Sequence, residues 1–447
     1  MARGNRDLRG SRQSLRADVV NDTPAVTSRR LRPMFWGLLG AGLITGAAGN
    51  DPAGIATYSQ AGATFQFGLA WILLLTYPLI VAVQLLSASL GRTTGRGIAG
   101  NLRERYPGWF VYSIVGLLVI ANVINMGADL QAMAEALRLL LPYLPAWAWI
   151  VLLGTLCTLG QALLAHMRYM ALLKWLALVP LAYFGVLLVS HVPWGMVARG
   201  LLQPRLSTHG SFWLMVVAML GTTISPYLFF WQSAQEVEDT RTDGRRQPLL
   251  QDPTQTRGAL LRIRVDTLVG MGVSNLVGLA ILVSAAVTLP QLGIQEVMTA
   301  AQAAEALRPV AGPLAAALFA FGIIGSGVLC VQILAGSAAY AVAEALGRPA
   351  GLARGALSVR AVLPLVAVAT LLGVLASTAS FNAIRALVWS GVINAVVAIP
   401  LMAALMLMAA SPRVTGAVRL GRGWITLGWC ATALMALAAA GWAAAAL

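Results

Sequence analysis

Two carboxylates stand where carboxylates are costly. Asp51, in AGNDPAG, and Asp129, in MGADLQAM, fall mid-span in apolar segments, whereas nearly all of the other acidic residues lie in tails, loops or span ends. A charge in hydrocarbon is expensive unless it is paired, hydrated or protonated, so each marks a candidate ion or proton site. Asp51 is the sharper of the two, because Pro52 follows it and Gly49 and Gly54 flank it. Proline removes an amide donor and glycine tolerates unwound backbone, so helix carbonyls are freed beside a carboxylate oxygen. Hard oxygens of that kind suit a divalent cation. Asp before Pro is also a good N-cap, and the two roles are compatible. Asp129 reads either as part of a proton or ion path or as an interhelical hydrogen-bonder. Glu135, further along the same segment, reads as reaching outward or pairing with Arg138 three residues on.

A second break, GTTISP, runs from Gly221 to Pro226. Unsatisfied backbone at mid-membrane survives only when it is buried in protein or lines a wet cavity. Around the breaks, Asn50, Tyr58, Gln60, Tyr227 and Gln232 read as cavity residues or as interhelical hydrogen-bonders, and Asn394 as a weaker candidate of the same kind. The three histidines (His166, His191, His209) fall at span ends or in loops, so no imidazole is expected at mid-membrane. The three cysteines (Cys157, Cys330, Cys430) have no pairing or metal-ligand spacing and read as lipid-facing or packed apolar residues. No nucleophile, base and oxyanion-donor set can be assembled from spacing, so an enzyme is not expected.

The elements that carry these residues are membrane spans. The chain has 447 residues, 58% hydrophobic and 11% charged. Its apolar runs repeatedly exceed the roughly 20 residues needed to cross a bilayer. Read against charged and Pro/Gly-rich interruptions, they give an all-α polytopic membrane protein of about 11 helices. The spans lie near 34–64 (broken), 68–90, 109–137, 146–165, 170–192, 211–234 (broken), 266–288, 311–343, 361–376, 383–410 and 424–446. Residues 1–33, with 8 arginines, read as a disordered basic tail rather than a signal peptide, and residues 34–447 as a single transmembrane domain.

The net charge of +15 is a topology signal, not a nucleic-acid signature. With the N-terminus inside, all but five of the Lys and Arg residues (Arg138, Arg199, Arg205, Arg308 and Arg385) fall on the cytoplasmic side. The C-terminus is then expected outside, in a bacterial-type plasma membrane. The charged stretch SAQEVED (233–239) reads as a solvated helix end.

The two broken spans are the first and the sixth, the offset expected for two inverted five-helix repeats, about 34–192 and 211–410, with an extra helix near 424–446. Interrupted helices in corresponding places point to a transporter's substrate site.

The runs DPAGIATYSQAGA, GLAWILLLTYP, GRTTGRGIAGNLRERYP and the ISP of the sixth span resemble the Nramp family of divalent metal transporters, from about Met34 to the last span. The resemblance implies the leucine-transporter-like 5+5 inverted repeat and a largely dehydrated transition metal held at the two breaks. Carried over by position, Asp51 keeps the family's Asp, Gly54 stands at its Asn, Ser225 at its Met, and Gly391 at a helix-ten Gln; the carbonyl ligands fall on Ala48 and Thr222. A histidine of the sixth helix is Tyr227, a second is Gln232, and a helix-three Glu is Ala132. With the thioether gone and glycines at two ligand positions, the expected site is wider and harder and fits partly hydrated Mg²⁺. This pattern is similar to the Nramp-related magnesium transporters.

The leading expectation is inward alternating-access transport of Mg²⁺, with Mn²⁺, uncoupled from protons. The ion is substrate; no cofactor and no obligatory protein partner is implied beyond the lipid bilayer. The rivals are a proton-coupled Mn²⁺/Fe²⁺ carrier using Asp129, an amino-acid or organic-solute symporter on the same scaffold, and a sensor, which would carry a soluble domain.

Overall fold

Helix α1 (Pro52–Phe65) begins at the proline after Asp51, and the carboxylate takes over the job a missing turn would have done. Asp51 is the N-cap, extended at φ −65° and ψ 173°, and its side chain accepts from the Gly54 amide at 2.6 Å. Satisfying one of the four orphan amides of a helix start is what an Asp cap supplies. The computed structural model describes residue 46 and residues 49–163, 179–242, 246–348, 355–379, 381–416, 418 and 420–446. Most of the first span before its break, the expected tail and residues 170–178 of the fifth span lie outside the described residues.

Further along the chain come α2 (Ala70–Thr94), α3 (Ile98–Arg105), α4 (Gly108–Arg138), α5 (Ala146–Leu163), α6 (Ala182–Val189) and α7 (Trp194–Leu202). The second half has α8 (Gly210–Thr223), α9 (Pro226–Thr242), α10 (Thr256–Thr288), α11 (Ala315–Ala345), α12 (Gly355–Thr378), α13 (Ala383–Ala410) and α14 (Arg422–Ala446). Seven helical stretches among the described residues are long and apolar enough to cross a membrane.

The second break separates α8 from α9 at Ile224 and Ser225, and its chemistry is local. Pro226 has no N–H to give the Thr222 carbonyl. Ser225 Oγ donates instead, to Gly221 O at 2.7 Å and Thr222 O at 3.2 Å.

The interior is organised around the two broken helices. α1 packs on α10, α13, α8, α4 and α11; α9 packs on α2 and α11; α4 packs on α11, α12 and α13. Lipid gives helices no hydrophobic reason to associate, so close backbone approach and interhelical hydrogen bonds must hold them. Asn122 Nδ2 on α4 donates to Leu334 O (2.8 Å) and Ser337 Oγ (3.0 Å) on α11. The Tyr58 and Thr223 hydroxyls, 2.9 Å apart, link α1 to α8. Glu344, near the end of α11, accepts from the Gly97 and Gly100 amides at 2.6 and 2.9 Å. It thereby caps α3, whose own N-cap, Gly97, has no side chain to offer.

Gly221 and Gly391 bring α8 and α13 into backbone contact. A Cβ on Gly221 would fall against Gly391 O, 2.6 Å from Ala395 N and 2.8 Å from Ala395 Cβ. Gly221→Ala is therefore expected to cost about 1–3 kcal/mol, typical of overpacking. A lowered thermal midpoint of the purified protein, with loss of monodisperse yield, checks it; an unchanged midpoint would show that the helix pair can separate freely.

Candidate metal centre

Four helices deliver one side chain each to the first break. Asp51 comes at the start of α1, Asp129 from α4, Tyr227 from the first turn of α9 and Cys330 from α11. Tyr227 donates its hydroxyl to Asp51 Oδ2 at 3.0 Å. The Cys330 thiol lies 3.6 Å from the same oxygen and 3.5 Å from the Tyr227 hydroxyl. Ligand atoms of Asp51, Asp129 and Cys330 all lie within 4.8 Å of one another, the one group of three or more acidic, thiol or imidazole side chains so placed among the described residues.

The electrostatics of this cluster are one-sided. Asp51 is 1% exposed and Asp129 0% exposed. None of the ion pairs among the described residues includes either. Both Asp129 oxygens lack a hydrogen bond of ordinary geometry, as do Thr222 Oγ1 and the Asn125 amide. Asn125 lies one turn before Asp129 on α4, close enough to act on the Asp51 carboxylate. Buried polar groups left without partners are rare in folded proteins and call for a reason. A cation held between the carboxylates supplies one, because charges removed from water are tolerated when paired or bound to metal.

The other residues singled out from the sequence divide into those at the breaks and those spent elsewhere. Ser225 engages the Gly221 and Thr222 carbonyls, so the Thr222 carbonyl already has a donor. Ala48 lies outside the described residues. Asn50 donates to Ser274 Oγ at 3.3 Å and leaves its Oδ1 without a partner. Tyr58 joins the two broken helices. Gln60, nine residues into α1 and hence about 13 Å along its axis from Asp51, ties down a loop instead: its Oε1 accepts from the Val297 amide at 2.7 Å. Gln232 donates to Thr267 Oγ1 on α10 at 3.0 Å. Asn394 Oδ1, on α13, is buried without a partner.

The widening expected from Gly54 and Gly391 is not what the described residues show. A Cβ on Gly54 would sit 3.2 Å from Gly49 O, 3.3 Å from Asp51 Oδ1 and 3.6 Å from Thr222 Oγ1. On Gly391 it would sit 2.9 Å from Ala218 O. The room a missing side chain leaves is bounded at Gly54 by the Gly49 carbonyl and the Asp51 and Thr222 side-chain oxygens, and at Gly391 by the backbone of α8.

Sequence reasoning took Cys330 for a packed apolar residue or one facing lipid, and Asn125 went unnoticed. Cys330 is buried, but beside Asp51 and Tyr227. The signal lay in the small residues of GSGVLC: Gly327, three positions earlier and on the same helical face, would meet Pro52 Cγ at 3.2 Å if it carried a Cβ. That face of α11 therefore looks at the break. SAQEVED was also misread in part. Glu236 is 1% exposed and paired with Arg262 of α10, because α9 continues past the apolar run and packs its C-terminal end on neighbouring helices.

Comparison with known proteins decides the family. The model of the family described as "Natural resistance-associated macrophage protein-like" matches residues 42–443. The chain belongs to the Nramp family. Among relatives of this Nramp chain, the divalent metal cation transporter MntH of Deinococcus radiodurans is 29% identical over 309 residues, spanning 67% of this chain and 66% of the relative. MntH of Yersinia pestis is 29% identical over 325 residues, 69% of this chain and 73% of the relative. A manganese transporter from Eremococcus coleocola has a similar structure, with TM-score 0.69 and 19% identity over 91% of this chain and 87% of that one. Mhp1, a nucleobase-cation-symport-1 family transporter, follows at TM-score 0.52 and 15% identity over 91% and 90%. Both show the fold: the leucine-transporter-like inverted repeat with broken first and sixth helices.

Proposed function

We propose that this Nramp chain carries a divalent cation into the cell across the plasma membrane by alternating access, with Asp51 as the anchoring ligand. The observation that carries the reading is the unpaired carboxylate pair, Asp51 and Asp129, buried at the break of α1 with no cationic side chain paired to either among the described residues. The relatives named as divalent metal cation transporters support the same substrate class. A cavity of about 480 Å³ is lined by Gln131, Glu135, Thr299, Phe381 and Asn382, at the C-terminal end of α4 past Asp129. Oxygen donors dominate the cluster, which supports Mg²⁺ together with Mn²⁺ as cargo. The positions where the family carries histidines hold Tyr227 and Gln232, one bonded to Asp51 and the other to Thr267, which supports transport without obligatory protons. A potential of 100 mV favours inward movement of a divalent ion by about 4.6 kcal/mol, twice the single-charge figure, so an uncoupled carrier can still accumulate it.

Asp129 favours a second reading. Its oxygens have no conventional donor and face Asp51, so a proton carried there would be exchanged when a cation enters, as in a proton-coupled Mn²⁺ carrier. Proteoliposomes loaded with an internal pH dye separate the two. The proposal predicts Mg²⁺ and Mn²⁺ uptake with no acidification beyond that of empty vesicles. Acidification that tracks Mn²⁺ with no Mg²⁺ entry would establish the second reading, and no flux of either ion would overturn both.

A further inference from the structure

The Cys330 thiol sits among the ion ligands, and nothing in the oxygen chemistry of the site requires a sulfur there. It is fully buried, 3.6 Å from Asp51 Oδ2 and within the 4.8 Å group that includes Asp129. A cysteine alone would mean nothing. Here Asp129 beside it is itself fully buried, has no hydrogen bond of ordinary geometry at either oxygen, and is turned to the same small volume. α11 also has a reason to present this position inward, since Gly327 on the same face is fitted against Pro52 and Met133.

We propose that Cys330 is a sulfur ligand that gives this site a preference for thiophilic divalent ions, Cd²⁺ and Zn²⁺, over ions that accept oxygen donors alone. The inference rests on the reading of Asp51 and Asp129 as the cation site and deepens it by naming the class of ion the site holds most tightly. Two carboxylates and one thiolate form a mixed hard and soft donor set; thiolate selects soft and borderline metals, and Mg²⁺ gains nothing from it. As the sulfur–metal bond forms, the S–H bond breaks and its proton leaves to the buffer. Tyr227, which contacts both Cys330 and Asp51, holds the thiol on the ion side of α11.

The test uses the full-length purified protein in detergent with Cys157→Ala and Cys430→Ala, so that Cys330 is the remaining thiol. Titration with Cd²⁺ is expected to give an ultraviolet sulfur-to-metal charge-transfer band saturating at one ion per chain. Cys330→Ser is expected to abolish the band and to lower the ratio of Cd²⁺ to Mg²⁺ affinity by about tenfold or more, a change of about 1.4 kcal/mol. Absence of the band in the protein that retains Cys330 overturns the proposal whether or not the serine variant folds, as does an unchanged affinity ratio in a folded variant. Because binding is read without a gradient, a protein that shows the band yet moves no ion in vesicles upholds the sulfur ligand and overturns the transport reading alone.

Discussion

Asp51→Asn is expected to reduce Mn²⁺ and Mg²⁺ uptake to the level of empty vesicles while leaving the protein folded. Asparagine caps a helix as well as aspartate, so the bond to the Gly54 amide survives and only the charge is lost. Removing one partner of a buried charge pair costs about 2–5 kcal/mol, or roughly thirtyfold or more in affinity. Asp51→Ala removes the cap as well and should cost about a further 1 kcal/mol of stability. Radiotracer flux and a melting curve on the same preparations separate the two effects. Wild-type flux through the asparagine variant would mean that the ion does not depend on this carboxylate, and the proposed centre would fall with it.

The second large effect is on stability. Glu236 on α9 is paired with Arg262 on α10, the acid 1% exposed and the Arg side chain 15%. Deleting one partner of such a pair strands the other, at about 3–5 kcal/mol. Glu236→Leu is expected near the lower end, because Asp239 and Asp266 also act on Arg262. The double variant Glu236→Leu/Arg262→Met should recover much of the loss, since an apolar pair of similar volume has no charge to desolvate. Unfolding in mixed micelles measures both. A single variant as stable as the parent would show that the C-terminal end of α9 is hydrated after all.

Local chemistry made much of this legible from the sequence. The breaks at Asp51–Pro52 and Ser225–Pro226 follow from a missing amide hydrogen, which no tertiary contact can restore. Long apolar runs likewise mark their own limits, and the expected span 383–410 is α13, Ala383–Ala410. Asp129 stood out because a carboxylate in an apolar run has a cost that must be met somewhere.

Position across helices was not legible. Cys330 lies 279 residues from Asp51 in the chain and looks like any other small buried residue. Its meaning depends on which face α11 turns to Pro52. Gly54 and Gly391 were read as space, yet a glycine leaves space only if nothing else moves in, and here the carbonyls of Gly49 and Ala218 have. Glu236 was read as solvated because charge at a helix end usually is, and its burial is set by where α10 places Arg262. The sequence by itself determined where helices break and which side chains bear an uncompensated cost, because both are properties of a residue and its immediate neighbours. The tertiary structure alone decided which of those side chains meet, because convergence depends on helix rotation and packing between segments hundreds of residues apart.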